Sequence, residues 1–239
     1  YSIQNMLNYA GMYGIAALGM TLVILTGGTD LSAGSNMALA GVIGAGLLGN
    51  AIGAANPITL PVPVAILIAI LASGIIGCVN GFCITYLNIA PFVSTLAMMS
   101  IARGLVYVIA DAVVQKVSGS PITFINGHFS WLGQGKIGPI PVQFILYFLL
   151  FFVLYFVLAH TRFGRSVYAV GGNSTIASLA CIQTRNVIIS CYSISGVLIG
   201  ISGIILAGKL SSASTVAATG YELDFITAVA LGGTSMAGG

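Results

Sequence analysis

Long apolar runs separated by short polar breaks dominate the pattern of this chain. A helix needs about 20 mostly apolar residues to cross a bilayer, and runs of that kind recur along the sequence. A membrane β-barrel would instead show short segments that alternate polar and apolar positions. The pattern therefore predicts an all-α, polytopic transmembrane bundle with about six or seven spanning or re-entrant segments. They are predicted over 9–27, 36–55, 62–87, 92–110, 142–160 and 187–208, with a shorter last segment over 221–236.

Composition strengthens this interpretation. Of the 239 residues, 5% are charged and 58% hydrophobic, with a mean hydropathy of +1.08, whereas a soluble domain carries about 25% charged residues. Residues 31 to 102 contain no Asp, Glu, Lys or Arg. Each charge at the centre of a spanning helix costs about 2.5–3.5 kcal/mol on insertion scales, so a bilayer is the solvent that suits this chain. We expect one transmembrane domain over 1–239, in a sequence that is a fragment lacking both termini.

The placement of basic residues predicts how the chain crosses the membrane. The segment 161–186 carries three Arg and no acid. Because cytoplasmic loops are enriched in Lys and Arg, we expect this loop in the cytoplasm. The loop over 111–141 carries two Lys and one Asp and is expected on the extracytoplasmic side. Counting back along the helices places the turn GGTDLSAGS, 27–35, on the cytoplasmic side.

Two glycine-rich segments suggest an internal repeat. GGTDLSAG (27–34) aligns without gaps with GGTSMAGG (232–239), and each follows an apolar helix. Repeats with broken helices that meet near mid-membrane are common in transporters, although glycine-rich turns also resemble one another by composition alone. The helix count gives both copies the same orientation, so an inverted repeat would need a re-entrant segment. Asn80-Gly81 inside 62–87 predicts a further kink or unwound point.

Small residues at a spacing of four favour close helix contacts in lipid. Gly77xxxGly81, Gly196xxxGly200 and Gly49xxxGly53 have this spacing. We interpret them as packing features.

Asp30 lies in the turn GGTDLSAGS, ahead of the second apolar run. Thr29 or Asp30 is placed to cap a helix that starts near Leu31 or Ser32, and a carboxylate there gains from the helix dipole. The alternative is that this turn forms part of a transport path or gate.

Arg103 is the basic residue deepest in an apolar run. Intramembrane charges are usually paired or functional, and Asp30, Glu222 and Asp224 are its candidate partners. It could equally snorkel towards the membrane surface. Asn80, in mid-helix, is expected to bond a neighbouring helix. The candidates for the path or gate are Thr29, Asp30, Ser32, Asn80, Arg103, Glu222, Asp224 and Thr234.

The segment 161–186 also predicts a short helix. Gly171-Gly172 interrupts the segment, and Asn173 or Ser174 can cap a helix over 174–182. Ile176, Leu179 and Ile182 would share one face of it. Such a helix suits docking to a soluble partner, or lying on the lipid surface.

Motifs for nucleotide, metal or acyl-transfer chemistry are missing from the sequence, which has no GxxxxGK[ST], GxSxG, HExxH or CxxC. We therefore expect no catalytic residue, metal site, nucleotide site or nucleic-acid partner in this chain, and any ATP would be bound by another subunit. An intramembrane enzyme would need clustered acid–base or metal-ligating residues, whereas a passive channel stays open as an alternative.

Four motifs occur in a fixed order: GMTLVILTGGTDLSAGS, PFVSTLAMMSIARGL, RFGRSVYAVGGNSTIASLACI and GYELDFITAVALGGTSMAGG. Together they resemble the permease subunits of bacterial ABC sugar importers of the ribose, xylose and galactose type (carbohydrate uptake family 2). The resemblance implies a multi-pass inner-membrane protein that imports a monosaccharide as a homodimer or pseudo-dimer. It also implies a cytoplasmic subunit that binds ATP and magnesium, and a periplasmic sugar-binding protein. Permeases of the same architecture for a nucleoside, an autoinducer-like sugar or a branched-chain amino acid are the alternative.

The resemblance also implies that the helix over 174–182 is the element that the ATPase subunit receives. Ser174, Thr175 and Ser178 stand where that family usually has charged residues, and Ala180-Cys181 where it tends to have Ser-Gly, so the electrostatics of docking should differ. The candidate coupling residues are Arg162, Phe163, Arg165, Gly171, Gly172, Asn173, Ile176, Ala177, Leu179 and Ile182.

Overall fold

A computed structural model describes residues 2–48, 60–113, 121–124 and 126–239. Within these ranges the chain forms helices joined by short connections and four two-residue strands. The helices are α1 Ser2–Leu25, α2 Ala33–Gly46, α3 Val62–Tyr86, α4 Pro91–Val113, α5 Gly127–Gln134, α6 Val142–His160, α7 Arg162–Gly172, α8 Ser174–Leu179, α9 Thr184–Leu210 and α10 Tyr221–Leu231. The strands are β1 Ile122–Thr123, β2 Lys136–Ile137, β3 Ile140–Pro141 and β4 Ser212–Ala213.

Five helices in the described part of the chain are long and apolar enough to cross a membrane: α1, α3, α4, α6 and α9. This confirms the predicted all-α polytopic bundle. The predicted bounds are close for α3, α4, α6 and α9. α1 begins at Ser2, well before the predicted residue 9.

Two predicted segments form helices that are too short to span. α2 has 14 residues and α10 has 11, which at 1.5 Å per residue gives lengths of about 21 and 16 Å, against about 30 Å of hydrocarbon. The predicted span over 36–55 is therefore wrong in its described part, because the helix ends at Gly46. Residues 49–55, the break at Asn56-Pro57 and the pair Gly49xxxGly53 lie outside the described residues.

Helix α9 lies at the centre and packs most closely against α3. A Cβ added at Gly77 would collide with the carbonyl of Tyr192, and one at Gly196 would lie 2.5 Å from the Ser73 carbonyl oxygen. The Ser73 hydroxyl donates to the Gly196 carbonyl at 2.7 Å. Glycines therefore let the two backbones approach, as the small-residue spacing predicted.

Helix α3 stays helical through Asn80-Gly81, so the predicted unwound point is wrong. A Cβ at Gly81 would lie 2.7 Å from the Cα of Ile189 in α9. Gly81 therefore serves close helix packing. Gly81 suggested a break in α3 because it has no side chain, and for the same reason it allows the close contact with Ile189 of α9.

The two ends of α9 carry different structures. At its C-terminal end, Gln134 of α5 donates to the carbonyls of Gly208 and Lys209, and β2 and β3 form a small hairpin beside α5. The N-terminal end of α9 lies next to α7 and α8. The predicted loop 161–186 is thus mostly helical. The omission of α7 was an error of the sequence analysis, since its buried positions Gly164, Val167 and Val170 follow helical spacing.

The two predicted repeat segments end their helices with the same turn. Gly28 donates to the carbonyl of Val23, and Thr234 to that of Val229. Gly27 and Gly233 take positive φ angles of 75° and 93°, the left-handed closing residue of a Schellman motif. The turns match with an offset of one residue from the ungapped alignment, which paired Gly27 with Gly232.

These two turns also lie side by side. The Gly239 N–H donates to the Leu25 carbonyl at 3.1 Å, and a Cβ on Gly238 would lie 2.7 Å from the Gly171 carbonyl oxygen. The ends of α1, α7 and the chain therefore meet at one end of the bundle. The shared orientation of the two copies stays a prediction of the helix count.

Candidate functional site

A hydrogen-bonded chain of three predicted residues lies in the break between α1 and α2. The Ser32 hydroxyl donates to Asp30 Oδ1 at 2.6 Å, and Asn80 Nδ2 donates to the Ser32 hydroxyl at 2.9 Å. All three side chains are at most 1% exposed. Each of the three was predicted separately as a candidate for the path or gate, and the fold joins them by placing the break against α3.

Asp30 does not cap α2 in the manner predicted. The helix begins at Ala33 with Ser32 as N-cap, and among the described residues Ser32 makes no side-chain capping bond. Instead, Asp30 Oδ1 accepts from the Ser32 N–H at 2.9 Å as well as from its hydroxyl. Asp30 therefore closes a tight turn one residue ahead of the cap, because Asp side chains readily accept from the N–H two residues on.

The second carboxylate oxygen of Asp30 is buried and has no partner among the described residues. Burial raises the pKa of this carboxyl, which lies between α1 and α2 and outside the five spanning helices, while the two bonds from Ser32 act in the opposite direction. Desolvation disfavours a charged carboxylate. The neutral form of Asp30 is therefore favoured more than it would be at an exposed position.

The backbone of this break is fastened by its neighbours. The Tyr192 hydroxyl donates to the Thr29 carbonyl at 3.1 Å, and the Thr95 hydroxyl lies 3.4 Å from the same oxygen. A Cβ on Gly28 would lie 2.5 Å from the Tyr192 hydroxyl oxygen. Thr29 therefore contributes its carbonyl, and α4 and α9 hold the break in place.

Arg103 and Glu222 line a polar cavity of about 390 Å³ on the α4 and α10 side of the bundle. This volume is within the range of about 300–1,000 Å³ that is usual for small-molecule pockets. Five of the six lining residues are polar, whereas the described cavities beside Ile75 and beside Phe151 are lined mainly by apolar residues. The lining residues are Ser35, Met99, Ser100, Arg103, Thr219 and Glu222.

Arg103 is held by backbone carbonyls and not by the acids that were predicted as its partners. Its Nη1 donates to the Thr215 carbonyl at 2.7 Å and to the Ala217 carbonyl at 2.9 Å. These carbonyls belong to the connection between β4 and α10, where non-helical backbone has acceptors to offer.

Gly34 brings the start of α2 against the start of α10. A Cβ at Gly34 would collide with Glu222 Oε2 and with the Ala218 carbonyl. Ser35, the next residue, lines the cavity. The Asp30 network and the cavity are therefore adjacent parts of one polar region, built where two short helices begin.

Two other path candidates lie elsewhere. Asp224 is exposed and lines a separate open cavity with Tyr9 and Tyr13. Thr234 closes the turn after α10. Neither residue lines the cavity of Arg103 and Glu222.

The candidate coupling residues lie on α7 and α8, at the end of the bundle where α1 ends. Asn173 caps α8, accepting from the N–H groups of Thr175 and Ile176 at 3.0 Å each, as predicted. Ile176 is 64% exposed and Leu179 is 80% exposed. Ile182 lies beyond the end of α8 and packs partly inward, so the predicted three-residue face is reduced to two.

The remaining coupling candidates divide by exposure. Arg162, Arg165, Gly172 and Asn173 are exposed, Phe163 and Gly171 are half-buried, and Ala177 is buried. Cys181, just after α8, has a φ of 60°, a conformation that glycine adopts at little cost. This explains why the resemblance leads one to expect glycine at that position.

The hydroxyl groups that complete the cavity, and the groups that bond the break between α1 and α2, were not among the residues predicted from the sequence. Ser100 precedes Arg103 by three residues, so helical spacing alone places both on one face of α4. Tyr192 gave no comparable signal, because its bond to Thr29 joins residues 163 positions apart. Among the described residues, no group of three or more His, Cys, Asp or Glu side chains is placed to hold a metal ion.

Comparison with known proteins places the chain in a family. Residues 2–239 match the family described as the permease component of the branched-chain amino acid transport system. The whole chain is 38% identical to 71% of the ribose import permease protein RbsC of Escherichia coli (strain K12). It is 40% identical to 70% of RbsC of Bacillus subtilis (strain 168), and 36% identical to 72% of the galactose/methyl galactoside import permease protein MglC of E. coli (strain K12). No solved structure matches the chain.

The match runs through the whole bundle, including the break after α1, the cavity and the helices α7 and α8. The five spanning helices agree with a multi-pass protein of the inner membrane. The chain therefore belongs to the permease-component family of the branched-chain amino acid transport system.

Proposed function

We propose that this chain is the membrane subunit of an ATP-driven importer that moves a monosaccharide, similar to ribose, xylose or galactose, across the bacterial inner membrane. The observation that carries this proposal is the similarity of the entire chain to ribose and galactose import permeases at 36–40% identity. A nucleoside, an autoinducer-like sugar or a branched-chain amino acid is the alternative cargo, and the family description names the last.

The polar region supports a path for an uncharged solute. Asp30, Ser32 and Asn80 bring polar groups into an apolar bundle, and the adjacent cavity adds further hydroxyl groups. Polar groups at such depth are costly unless they have a purpose. Short helices that begin inside the bundle provide this region with backbone N–H groups, as in transporters built around broken helices.

The exposed side of α8 supports coupling to an ATPase subunit, which would hold ATP and magnesium. Ile176 and Leu179 present apolar side chains outward on α8, and Arg162 and Arg165 are exposed on the neighbouring α7. An apolar anchor rimmed by charge suits a protein partner better than solvent. In this proposal, movement of α7 and α8 by the ATPase shifts the helices around the path, and the segment 161–186 faces the cytoplasm.

The other end of the bundle supports docking of a periplasmic sugar-binding protein. α5 and the β2–β3 hairpin lie there, and Trp131 and Ile137 are 51% and 57% exposed. Aromatic side chains are enriched where proteins bind one another. This end corresponds to the loop 111–141, proposed to be extracytoplasmic. A second copy of the chain, or a related permease, would complete the membrane core.

Reconstitution tests the proposal. The full-length protein is placed in proteoliposomes with its ATPase subunit and binding protein, and uptake of labelled ribose, galactose, leucine and a nucleoside is measured with and without ATP. We expect ATP-dependent accumulation of a monosaccharide. Solute movement without the ATPase would favour a passive channel, and accumulation of leucine or the nucleoside alone would favour the alternative cargo.

A further inference from the structure

We propose that Arg103 and Glu222 form a subsite that holds a neutral, polyhydroxylated solute within the cavity between α4 and α10. This proposal rests on the proposed function and assigns its substrate class to particular side chains. The cavity of about 390 Å³ is lined by both residues together with three hydroxyl groups, those of Ser35, Ser100 and Thr219.

Arg103 is fixed in place and still has donors to spare. Its Nη1 bonds the carbonyls of Thr215 and Ala217 at 2.7 and 2.9 Å. A guanidinium has five N–H donors in all, so the two carbonyls do not use its full capacity to donate. The backbone bonds therefore position the side chain before a solute arrives, which lowers the entropic cost of binding.

Glu222 lies across the cavity on another helix. Its Oε2 packs against the Gly34 backbone at the start of α2, and within the described residues no ion pair joins Glu222 to Arg103. The two charges belong to one cavity and stay apart. The two side chains carry opposite charges. A solute with a net charge is therefore attracted by one of them and repelled by the other, and the two interaction energies largely cancel.

The chemistry of the two groups selects what can bridge them. A guanidinium only donates hydrogen bonds, and an ionised carboxylate only accepts them. A hydroxyl does both, so neighbouring hydroxyls of a sugar can accept from Arg103 and donate to Glu222. A zwitterionic amino acid could also bridge the charges, but its branched apolar side chain would leave the hydroxyls of Ser35, Ser100 and Thr219 without a hydrogen-bonding partner on the solute.

A matched pair of acid substitutions tests this subsite in the reconstituted importer. Glu222→Gln keeps the shape and removes the charge, whereas Asp224→Asn changes an acid two residues away that lines a different cavity. We expect Glu222→Gln to slow ribose or galactose uptake at least about tenfold, the effect of losing one hydrogen bond to a charged group. Asp224→Asn should change uptake less than about twofold, since a surface substitution has small effects.

Two further measurements separate this subsite from a structural role. Glu222→Gln should still assemble with the ATPase subunit and show ATP hydrolysis stimulated by the binding protein, so that less sugar moves per ATP. Ser100→Leu should obstruct the cavity from an exposed position and likewise slow uptake without loss of assembly, whereas Ala112→Leu, exposed farther along α4, should not.

The outcomes distinguish the two proposals. Wild-type protein without ATP-dependent sugar uptake overturns the proposed function. Wild-type uptake that persists unchanged in both Glu222→Gln and Ser100→Leu overturns the subsite alone. ATP-driven uptake of leucine but not of sugar by the wild type overturns the assignment of a polyhydroxylated solute, and failure of Glu222→Gln to assemble leaves Ser100→Leu to decide.

Discussion

At the scale of single residues, the break between α1 and α2 is held by hydrogen bonds to one carboxylate oxygen, Asp30 Oδ1. Asp30 Oδ1 accepts from both the N–H and the hydroxyl of Ser32, and Asn80 then donates to that hydroxyl. The sequence could predict that a lone acid in a glycine-rich turn makes a local bond, since Asp favours such turns. It could not predict Asn80 as the next member, because the contact joins residues 48 positions apart.

The substitution Asp30→Ala tests this network. It would leave the Ser32 N–H without its acceptor and break the link from α3 to the turn, and each unsatisfied buried donor costs about 1–3 kcal/mol. We expect a lower thermal midpoint in detergent and slower solute uptake by the assembled importer. Asp30→Asn, which retains an acceptor oxygen, should lose less stability. Wild-type uptake by Asp30→Ala would show that the turn has no role in transport.

At the scale of helices, glycines allow the close approach of α3 to α9 and the contact between the starts of the short helices α2 and α10. Gly77 and Gly196 make the first contact possible, and Gly34 the second. The spacing of four between glycines predicted packing correctly, because that pattern is local to one helix. The short lengths of α2 and α10 were not predictable in the same way, since an apolar run does not show whether its helix spans or begins inside the bundle.

The substitution Gly77→Ala should separate α3 from α9. The new methyl group would collide with the Tyr192 carbonyl, and excess volume in a packed core typically costs about 1–3 kcal/mol. The control is Gly104→Ala in α4, where a Cβ would meet nothing within 4 Å. We expect the thermal midpoint to fall for Gly77→Ala and to stay the same or rise for the control. Equal midpoints would contradict the close contact of α3 and α9.

The substitution Leu179→Asp tests α8 as the coupling element. Leu179 is 80% exposed, so the change should leave the thermal midpoint nearly unchanged. A charge in the apolar centre of an interface is costly to desolvate, and we expect co-purification of the ATPase subunit to fall by at least tenfold. Thr175→Asp adds the same charge at another exposed position of α8 and should retain the subunit. Normal assembly of Leu179→Asp would exclude this surface.

At the scale of the whole molecule, the order of apolar runs predicts the bundle but not its polar interior. Hydropathy predicted all five helices that are long enough to span, because each must bury about 20 apolar residues in lipid, but it also predicted two further segments whose helices are too short. The cavity needs Ser35, Ser100 and Glu222 from three distant segments, and their meeting depends on the packing around α9. Of the three acids predicted near Arg103, Glu222 shares its cavity, whereas the carbonyls that hold Arg103 carry no side-chain signal in the sequence.

The positions of the basic residues predict which end of the bundle faces the cytoplasm. Cys181, a cysteine of the natural sequence, can be labelled chemically to test this orientation. Cys181 is exposed beside α8, at the end that the three Arg of 161–186 assign to the cytoplasm. Cys191 is buried, and Cys78 and Cys83 lie within the apolar, membrane-spanning α3, so we do not expect them to meet a reagent confined to water. A membrane-impermeant maleimide should therefore label inside-out vesicles and leave intact cells unlabelled, and Cys181→Ser should abolish the labelling. Labelling of intact cells that Cys181→Ser removes would reverse the orientation, and would place Ile176 and Leu179 on the side away from any ATPase.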